Sequence, residues 1–353
     1  MLADRADHVV GVDTHRDAHS AAILTSSTGV VEAQTTLPAD GGGYEQLLGF
    51  GRRYAPGRRA WAIEGTGSYG AGLAGYLAER GEWVVEVDRP RRQERRSAAK
   101  SDELDAIRAA LHVLGRKHLA QPRSRGEREA MRVLLTARAG AVASRTRAIG
   151  VLKGLIISAP RALRDRVRRL STDEQLAKCA GLRTAPAQST EHRATIIALR
   201  STARRALALE AEASDLQTQL ELLVAENAPW LLAEPGVGPI TAAQLLVSWS
   251  HPGRFRSEAA FASLSGAAPI PASSGQTVRH RLNPGGDRHL NRALHTITVC
   301  RMRDDARTRA YVTRRRAQGM STREIRRCLK RYTARHLYRL LEQQATAPTN
   351  PRK

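Results

Sequence analysis

Cysteine is scarce in this chain of 353 residues, which contains only Cys179, Cys300 and Cys328. The three lack the paired spacing of a zinc ribbon or a disulfide framework, so both kinds of scaffold are excluded and a reducing compartment is expected. Aromatic residues make up 4% of the chain, which argues against binding of single strands by broad base stacking. No apolar run approaches the roughly 20 residues of a membrane-spanning helix, and the first residues lack a signal-peptide pattern. The sequence therefore predicts a cytoplasmic protein without a membrane partner.

Acidic residues are also in short supply, and they are unevenly placed. The chain has 57 Lys and Arg against 34 Asp and Glu, a formal charge of +23, and residues 226–353 account for +14 of it. Such an excess favours a polyanionic partner, with nucleic acid as the first candidate, over a charge that serves solubility alone. Because a metal site needs several carboxylates, we expect metal chemistry near the N-terminus rather than in this last third.

Residues 1–125 alternate strand patterns with helix patterns, which predicts a layered α/β domain. Strands are expected at His8–His15, Ser20–Thr25, Val30–Leu37, Ala60–Glu64 and Trp83–Asp88. Helices are expected at Tyr44–Tyr54 and Tyr69–Arg80, the first of them after a break at Gly41-Gly42-Gly43.

Acidic residues occur where these predicted elements end. Asp13 and Glu64 lie inside apolar strands, and Asp102 and Asp105 open a helix three positions apart, hence on one face. The same helix has a separate apolar stripe that is expected to pack, formed by Leu104, Ile107, Leu111 and Leu114. Four carboxylates suit magnesium. The alternatives are a solvated first turn whose acids favour the helix dipole, and rival strand acids at Glu86 and Asp88.

Three sequence blocks carry a resemblance to a known family: Gly11–His15, Ile63–Gly67, and Lys100–Asp102 followed by Asp105-Ala106. In this order they resemble the RuvC-like DEDD domain of the insertion-sequence transposases of the "one-ten" family, which are described as bridge-RNA-guided recombinases. The resemblance implies an RNase H-like fold in which Mg²⁺ and catalysis depend on Asp13, Glu64, Asp102 and Asp105. It also implies donor and target DNA, a noncoding guide RNA and a homo-oligomer, dimer or tetramer, as partners.

Residues 126–225 read as a helical arm. Glu127–Ile157 has apolar residues at seven-residue intervals, namely Leu135, Val142, Ile149 and Ile156. After a broken stretch at Pro160–Pro186, a second 3,4 spacing runs from Leu199 to Leu223. Two long helices that pair as a coiled coil fit this pattern. The arm could serve dimerisation or spacing, as the resemblance favours, or it could be an intramolecular hairpin that only packs.

Residues 226–344 form the predicted C-terminal domain, mainly α-helical, and residues 345–353 are expected to be a disordered tail. Its Pro235-Gly236-Val237-Gly238 turn is typical of a helix-hairpin-helix, whose backbone N–H groups can bind a phosphate, although an ordinary helical turn is the alternative. Further helices are expected at Leu290–Arg316 and Thr322–Gln343. Their runs Arg314–Arg316 and Arg326-Arg327 are interpreted as faces that contact a nucleic-acid backbone, with solvated surface charge as the alternative.

A polar loop in this region also matches the family, in its C-terminal transposase block. The match implies that Ser274 is a nucleophile, with Ser273 as its near rival. Gly275 gives the loop backbone freedom to approach a phosphate, and nearby arginines can offset phosphate charge, namely Arg279, Arg281, Arg288 and Arg292.

The sequence therefore indicates a DNA transposase or recombinase that uses a magnesium-bound acidic quartet and a serine nucleophile. One alternative is a RuvC-type junction-resolving endonuclease that uses metal-activated water and needs no serine. Another is a non-catalytic architectural nucleic-acid-binding protein, in which the acids are structural and the positive charge does the binding.

Overall fold

The computed structural model describes residues 1–87, 102–116, 118–271, 280–281, 283 and 285–346. Chain contacts divide it into two compact units, Met1–Ser124 and Arg125–Lys353. No helix in the described ranges is both long enough and apolar enough to cross a membrane.

The first unit is a mixed five-stranded sheet with helices on both faces. Its elements are β1 (His8–Thr14), β2 (Ala18–Thr25), β3 (Val31–Pro38), α1 (Gly41–Tyr54), β4 (Arg59–Glu64), α2 (Ala71–Glu79), β5 (Trp83–Val87) and α3 (Asp102–Leu114). The strand order is β3-β2-β1-β4-β5, in which β1 to β3 are antiparallel neighbours while β4 and β5 continue parallel to β1. The predicted RNase H-like α/β domain is confirmed.

The side chains of each strand point alternately to the two faces of the sheet, so the sheet has a hydrophobic core on each face. Val9 packs with α3, whereas its neighbour Val10 packs with α1 and α2 on the other face. Successive strand side chains point to opposite faces, and β1, β2 and β4 are buried on both, so their sequences read as continuous apolar runs.

The glycine run was wrongly predicted to be a break, because Gly41–Gly43 form the first turn of α1. The Asp40 side chain accepts a hydrogen bond from Gly43 N at 2.8 Å and caps the helix. A Cβ at Gly43 would lie 1.9 Å from Pro38 O. The turn thus needs a small residue where the chain leaves β3, and the cap offsets the low helix propensity of glycine.

The predicted packing stripe of α3 was half right, because Ile107 and Leu114 pack against the core whereas Leu104 and Leu111 are exposed. Leu104 and Leu111 are 39% and 47% exposed. The buried positions of the helix are instead Ala106, Ala109, Ala110 and Val113. The reason is the distance of approach: a Cβ at Gly11 of β1 would lie 2.1 Å from Ala106 O and 2.7 Å from Ala110 N. With the helix backbone this close to the strand, only small side chains fit between them.

The second unit is mainly helical. Its elements are α4 (Glu127–Ser158), α5 (Arg161–Val167), α6 (Thr172–Ala180), α7 (Thr190–Asn227), α8 (Pro229–Leu232), α9 (Pro239–Trp249), α10 (Glu258–Leu264), β6 (Ile270–Pro271), β7 (His280–Arg281), α11 (Arg288–Asp304), α12 (Ala306–Ala317) and α13 (Thr322–Thr346). The stretch expected to be broken, Pro160–Pro186, contains the two short helices α5 and α6, whose Leu163, Val167 and Leu176 join the core of the arm.

The long helices α4 and α7 pack against each other in antiparallel directions. Arg138 donates to Gln217 at 2.9 Å, while Arg145, further along α4, pairs with Glu210, which lies earlier in α7. The seven-residue series does not mark this seam throughout, since Val142 is 39% exposed and Ala141 is buried in its place. Met131 and Leu220 share a hydrophobic cluster with Trp249 and Phe261, so the base of the arm and the following helices have one core.

The helix predicted over Leu290–Arg316 is in fact two helices. Asp305 separates α11 from α12, and its carboxylate accepts hydrogen bonds from the backbone N–H of Thr308 at 2.8 Å and from the Thr308 hydroxyl at 2.6 Å. Aspartate is a strong N-cap residue. Its hydrogen bond to a backbone N–H of the first turn stabilises the start of α12, and this competes with a continuation of α11. Of the predicted tail, residues 345 and 346 end α13, and residues 347–353 lie outside the described ranges.

Candidate functional site

Two of the predicted acids lie at the ends of neighbouring parallel strands. Asp13 is the sixth residue of β1 and Glu64 the last of β4. These strands pair in parallel, with Val12 opposite Ile63, so both acids occur at the same edge of the sheet. Asp13 is only 8% exposed. The fold therefore presents two strand carboxylates at one edge, one of them nearly buried.

The first residue of α3 brings a third carboxylate to Asp13, and a histidine joins the two. Nε2 of His15 lies 3.1 Å from Oδ2 of Asp13 and 3.4 Å from Oδ1 of Asp102. One ligand atom from each of the three residues lies within 4.8 Å of the other two. A group this compact has the size and the ligand types of a metal site.

The packing of α3 on β1 explains this meeting. Gly11 lies two residues before Asp13 on the same face of the strand, and Ala106 lies one helical turn after Asp102. Since α3 touches β1 where Ala106 meets Gly11, the turn before Ala106 lies beside the end of the strand. The close glycine–alanine contact thereby places Asp102 next to Asp13.

Asp105 and Glu64 are less closely held in this group. The Asp105 carboxylate accepts a hydrogen bond from Arg108 at 2.7 Å. The Glu64 backbone carbonyl accepts one from the Thr14 hydroxyl at 2.8 Å, and Gly65 then turns the chain with φ of +72°, a conformation that favours glycine. Of the predicted quartet, the structure thus brings Asp13 and Asp102 together directly. Asp105 is near enough for its charge to act on Asp13, and Glu64 ends the neighbouring strand.

The electrostatics of Asp13 fit an anionic site. Burial raises the pKa of its carboxyl above the ordinary value, His15 opposes the rise, and the charges of Asp105 and Asp102 add to it. A buried carboxylate near other carboxylates is costly to ionise unless a positive charge lies nearby. The donor set therefore fits a divalent cation, which would balance these charges.

His15 was missed as a site residue, although the sequence contained a signal for it. His15 follows Asp13 by two positions, the spacing that keeps side chains on one face of an extended chain. A polar residue at that position, directly after a buried strand acid, points into the same site. The burial of His19, whose ring stacks on Tyr44, shows that a histidine in this strand pair can equally be a core residue.

The predicted serine nucleophile lies outside the residues that the structure describes. Ser273, Ser274 and Arg279 lie outside the described residues, as does the side chain of Arg281. The two ends of their loop are paired, because β6 and β7 form a two-stranded antiparallel ribbon with Ile270 opposite Arg281.

The base of this ribbon is fixed to the neighbouring helices. Leu264 O accepts the N–H of Asp287 at 2.7 Å, and Ser263 O accepts a side-chain N–H of Asn283 at 3.1 Å. Asp287 caps α11, whose first turns carry Arg288 and Arg292, both exposed. The two ends of the ribbon thus lie next to a base that is bonded to the end of α10, and the first turns of α11 carry two exposed arginine side chains.

The glycine turn lies between α8 and α9, and most of its polar groups have partners. Gly238 N donates to the Thr241 hydroxyl at 3.0 Å, and Val237 N donates to Glu234 O at 3.1 Å. Gly236 packs against α11, where a Cβ would lie 2.9 Å from Ile297 O. Two of the backbone donors that could meet a phosphate are therefore already used within the turn, and phosphate binding by Gly236 and Gly238 stays a prediction.

Comparison with known proteins connects both units to insertion elements. Residues 10–157 match the DEDD-type IS110 model, described as "Transposase", and residues 229–313 match the "Transposase IS116/IS110/IS902 family". The chain is 37% identical over 107 residues to the uncharacterized 43.6 kDa protein of insertion element IS110 from Streptomyces coelicolor, which covers 30% of this chain and 26% of that protein. It is 30% identical over 130 residues to the uncharacterized 42 kDa protein of IS900 from Mycobacterium paratuberculosis, covering 36% and 32%.

The alignments to these two relatives span between a quarter and a third of each relative's length. The two family matches, by contrast, together cover more than half of the chain. The first covers most of the first unit and continues through α4, and the second lies within the second unit. The first match contains all four predicted acids, and the second contains the glycine turn, the serine loop and the start of α11. The chain belongs to the IS116/IS110/IS902 transposase family, with a DEDD-type N-terminal domain followed by the C-terminal domain of that family.

Proposed function

We propose that this protein is the DNA transposase of an insertion sequence, an enzyme that cuts and rejoins DNA strands. The observation that carries the proposal is the meeting of Asp13 and Asp102 at the His15 imidazole, in a fold where Glu64 ends the neighbouring strand. Carboxylates gathered at one edge of a sheet are suited to phosphoryl transfer, because they can hold the metal ions that phosphate chemistry requires.

The metal-binding residues in this proposal are Asp13, Glu64, Asp102 and Asp105, and the metal is Mg²⁺. Carboxylate oxygens are the ligands that magnesium prefers. When bound, the metal would stabilise negative charge on the scissile phosphate. His15 orients the two carboxylates that it contacts, so its role is positioning, and Arg108 competes with the metal for the Asp105 carboxylate.

The partner is DNA, and the C-terminal third supplies most of the affinity because it carries +14 of the +23 charge. Neutralisation of phosphates by Arg and Lys releases counterions, so binding weakens steeply with salt. Arg288 and Arg292 support this role by their exposure at the start of α11. Arg279, Arg281 and the backbone at Gly236 and Gly238 are proposed as further phosphate contacts.

Ser274 is the proposed nucleophile. Its hydroxyl oxygen attacks the phosphorus of the scissile phosphodiester, the hydroxyl proton passes to a base, and the bond to one sugar oxygen breaks, which leaves a phosphoserine link to one DNA end. Attack by the freed sugar hydroxyl of another strand would restore the serine and rejoin the DNA. The pairing of β6 with β7 supports this role, because it fixes the two points at which the loop begins and ends.

The family resemblance also supports a noncoding RNA, encoded by the element, that pairs with both DNAs, and a dimer or tetramer that holds two DNA sites. Sequencing of the nucleic acid that copurifies with the full chain tests the RNA directly. A single small RNA species from the element is expected, and a mixture of cellular RNA in its place would contradict guidance.

Trapping the reaction on a suicide DNA substrate, with that RNA present, tests the enzyme. The expected result is a covalent adduct whose DNA-bearing peptide contains Ser274, which is absent in Ser274→Ala and retained in Ser273→Ala. The reverse pattern would move the role to Ser273. Cleavage without any adduct would indicate the junction-resolving alternative, and no cleavage with any divalent metal would indicate an architectural protein.

A further inference from the structure

A cavity of about 310 Å³ lies in the second unit, between the turn that follows α10, the middle of α11 and the first half of α13. One wall is the backbone at Gly266 and Ala267. The others are cationic or ionisable side chains, namely His295, Arg323, Arg326, Arg327 and Lys330. No carboxylate belongs to this lining, so within the described residues the positive charge of the three arginines and Lys330 is not offset by an acid that lines the cavity.

The four cations of α13 that line the cavity fall on one face of the helix. Arg323, Arg326, Arg327 and Lys330 have the spacing i, i+3, i+4 and i+7. Like charges at this spacing repel one another. Among the described residues, none of the three arginines makes a salt bridge. The carboxylate of Glu324 accepts hydrogen bonds from the N–H and hydroxyl of Ser321, and of the three arginines only Arg327 contributes to the lowered pKa of this carboxyl. The helix therefore keeps an unfavourable arrangement that an anion would stabilise.

Lys330 is fixed at the inner end of this face. Its ammonium donates to Asn291 Oδ1 at 2.8 Å, and the Asn291 amide in turn donates to Ser265 O at 2.6 Å. Burial lowers the pKa of Lys330, and burial together with the charges of Lys330 and Arg326 lowers the pKa of His295. An ammonium has three N–H donors, so the hydrogen bond to Asn291 leaves donors for a ligand.

We infer that this cavity binds one phosphate group of a nucleic-acid backbone, through Lys330 and Arg326 with Arg323, Arg327 and His295 around them. The chemistry of the lining selects this ligand. Guanidinium and ammonium groups form strong, charge-assisted hydrogen bonds to phosphate oxygens, whereas no Phe, Tyr or Trp belongs to the described lining to stack on a base. Phosphate contacts fix register and orientation.

The position of the cavity gives that contact a use. Gly266 directly follows Ser265, whose carbonyl accepts the hydrogen bond from Asn291. The two residues before Ser265 accept hydrogen bonds from Asn283 and Asp287, at the base of the ribbon formed by β6 and β7. A phosphate bound here would hold the nucleic-acid backbone near the base of the ribbon whose loop carries the proposed nucleophile. The inference rests on the proposed function for its ligand, and it adds five residues that the sequence patterns had not joined into one site.

Lysine labelling of the full chain tests the site, because the chain has only six lysines. Acetylation with and without nucleic acid, mapped by mass spectrometry, should show Lys330 protected by a duplex DNA or by an RNA of equal length. Exposed Lys153 and Lys178 on the arm serve as internal references. Protection by DNA alone, or by RNA alone, identifies the strand that is bound. Protection by inorganic phosphate at the same phosphate concentration would reassign the cavity to a small anion and overturn the inference, as would unchanged labelling of Lys330.

A charge-matched pair of variants gives the second arm. Arg326→Gln with Lys330→Gln removes two charges from the cavity, and Arg307→Gln with Arg309→Gln removes two from exposed positions on α12. The slope of log Kd against log salt should fall by about 1 in the cavity variant, the loss of one phosphate contact, and by clearly less in the control. Equal changes in the two variants would mean generic charge and no site.

Arg326→Gln alone, which breaks no hydrogen bond of the described structure, guards against a folding defect in the double variant and should show part of the same fall in slope. If the wild-type protein binds no nucleic acid, both the proposed function and this inference are wrong. Normal binding and adduct formation with Lys330 unprotected would remove only this inference.

Discussion

Asp13 and Asp102 come from a strand end and a helix start that are far apart in the chain, and both lie within 3.4 Å of one nitrogen of His15. The close approach of α3 to β1 at Gly11 sets this distance. A single imidazole thus joins two carboxylates of the proposed metal site, and each part of the arrangement can be changed separately.

Neutralising either carboxylate should abolish metal-dependent cleavage. Asp13→Asn and Asp102→Asn remove a charged oxygen ligand, so we expect the cleavage rate to fall by at least about 100-fold, while nucleic-acid binding stays near wild type. The matched control is Glu103→Gln, which removes an exposed acid from the same helix turn outside the cluster. Cleavage assays over a magnesium series measure the effect. Wild-type cleavage by Asp102→Asn would show the assignment to be wrong.

Replacing His15 should weaken metal binding without removing it. His15→Ala leaves both carboxylates but no longer orients them, and losses of orienting partners typically cost about 10–100-fold in metal affinity or activity. The magnesium concentration for half-maximal cleavage should rise, and part of the loss should be recovered at high metal. His8→Ala, at the opposite end of β1, is the control. An unchanged magnesium requirement in His15→Ala would mean that His15 has no part in the site.

The ionised carboxylate of Asp13 should lower the free energy of unfolding at neutral pH when no metal is present. Its pKa in the folded protein is raised above the ordinary 3.8, so the neutral carboxyl is favoured by folding and the associated stability is complete below about pH 3.8. It is lost as pH rises through the raised pKa. Asp13→Asn should therefore be more stable than wild type by an amount that grows with pH.

Urea unfolding in chelator, from pH 4 to 7.5, measures this difference between Asp13→Asn and wild type. Added magnesium should reverse the order, since a ligand of the folded state stabilises only the protein that binds it. A difference that shrinks as pH rises would show that the Asp13 carboxyl is not held in its neutral form by burial.

Gly11 should tolerate no side chain. In Gly11→Ala the new Cβ would lie 2.1 Å from a backbone oxygen of α3, so helix and strand must separate, and we expect a loss of about 1–3 kcal/mol in the free energy of unfolding. Gly49→Ala is the control. It lies in α1 with no atom within 4 Å of the added methyl, and an alanine there should stabilise by about 0.5–1 kcal/mol. Equal effects in denaturant unfolding would refute the close contact.

The sequence was a good guide where one residue's neighbours along the chain decide its place. Alternation and apolar runs located all five strands of the first unit, and the placing of Asp13 and Glu64 on strand ends follows from them. The DEDD order and the basic last third were equally readable, because residue types and charge are properties of the chain itself.

It was a poorer guide where two elements meet. The choice of Ala106 over Leu104 as the packing face of α3 depends on how closely the helix approaches Gly11, and the division of α11 from α12 depends on a cap at Asp305. In the arm, Val142 fits the heptad but Ala141 is the buried residue.

The sequence by itself thus determined which chemical groups this protein has and on which elements they lie: acids at strand ends and a helix start, arginines in the last third. Only the tertiary structure decided which of them touch. In the folded chain His15 contacts both Asp13 and Asp102, and Asp105 accepts a hydrogen bond from Arg108. Four cations of α13 line one cavity together with Gly266. The physical reason is that periodicity fixes the direction of a side chain within its own element, whereas contact depends on the distance between elements, which packing across the whole core sets.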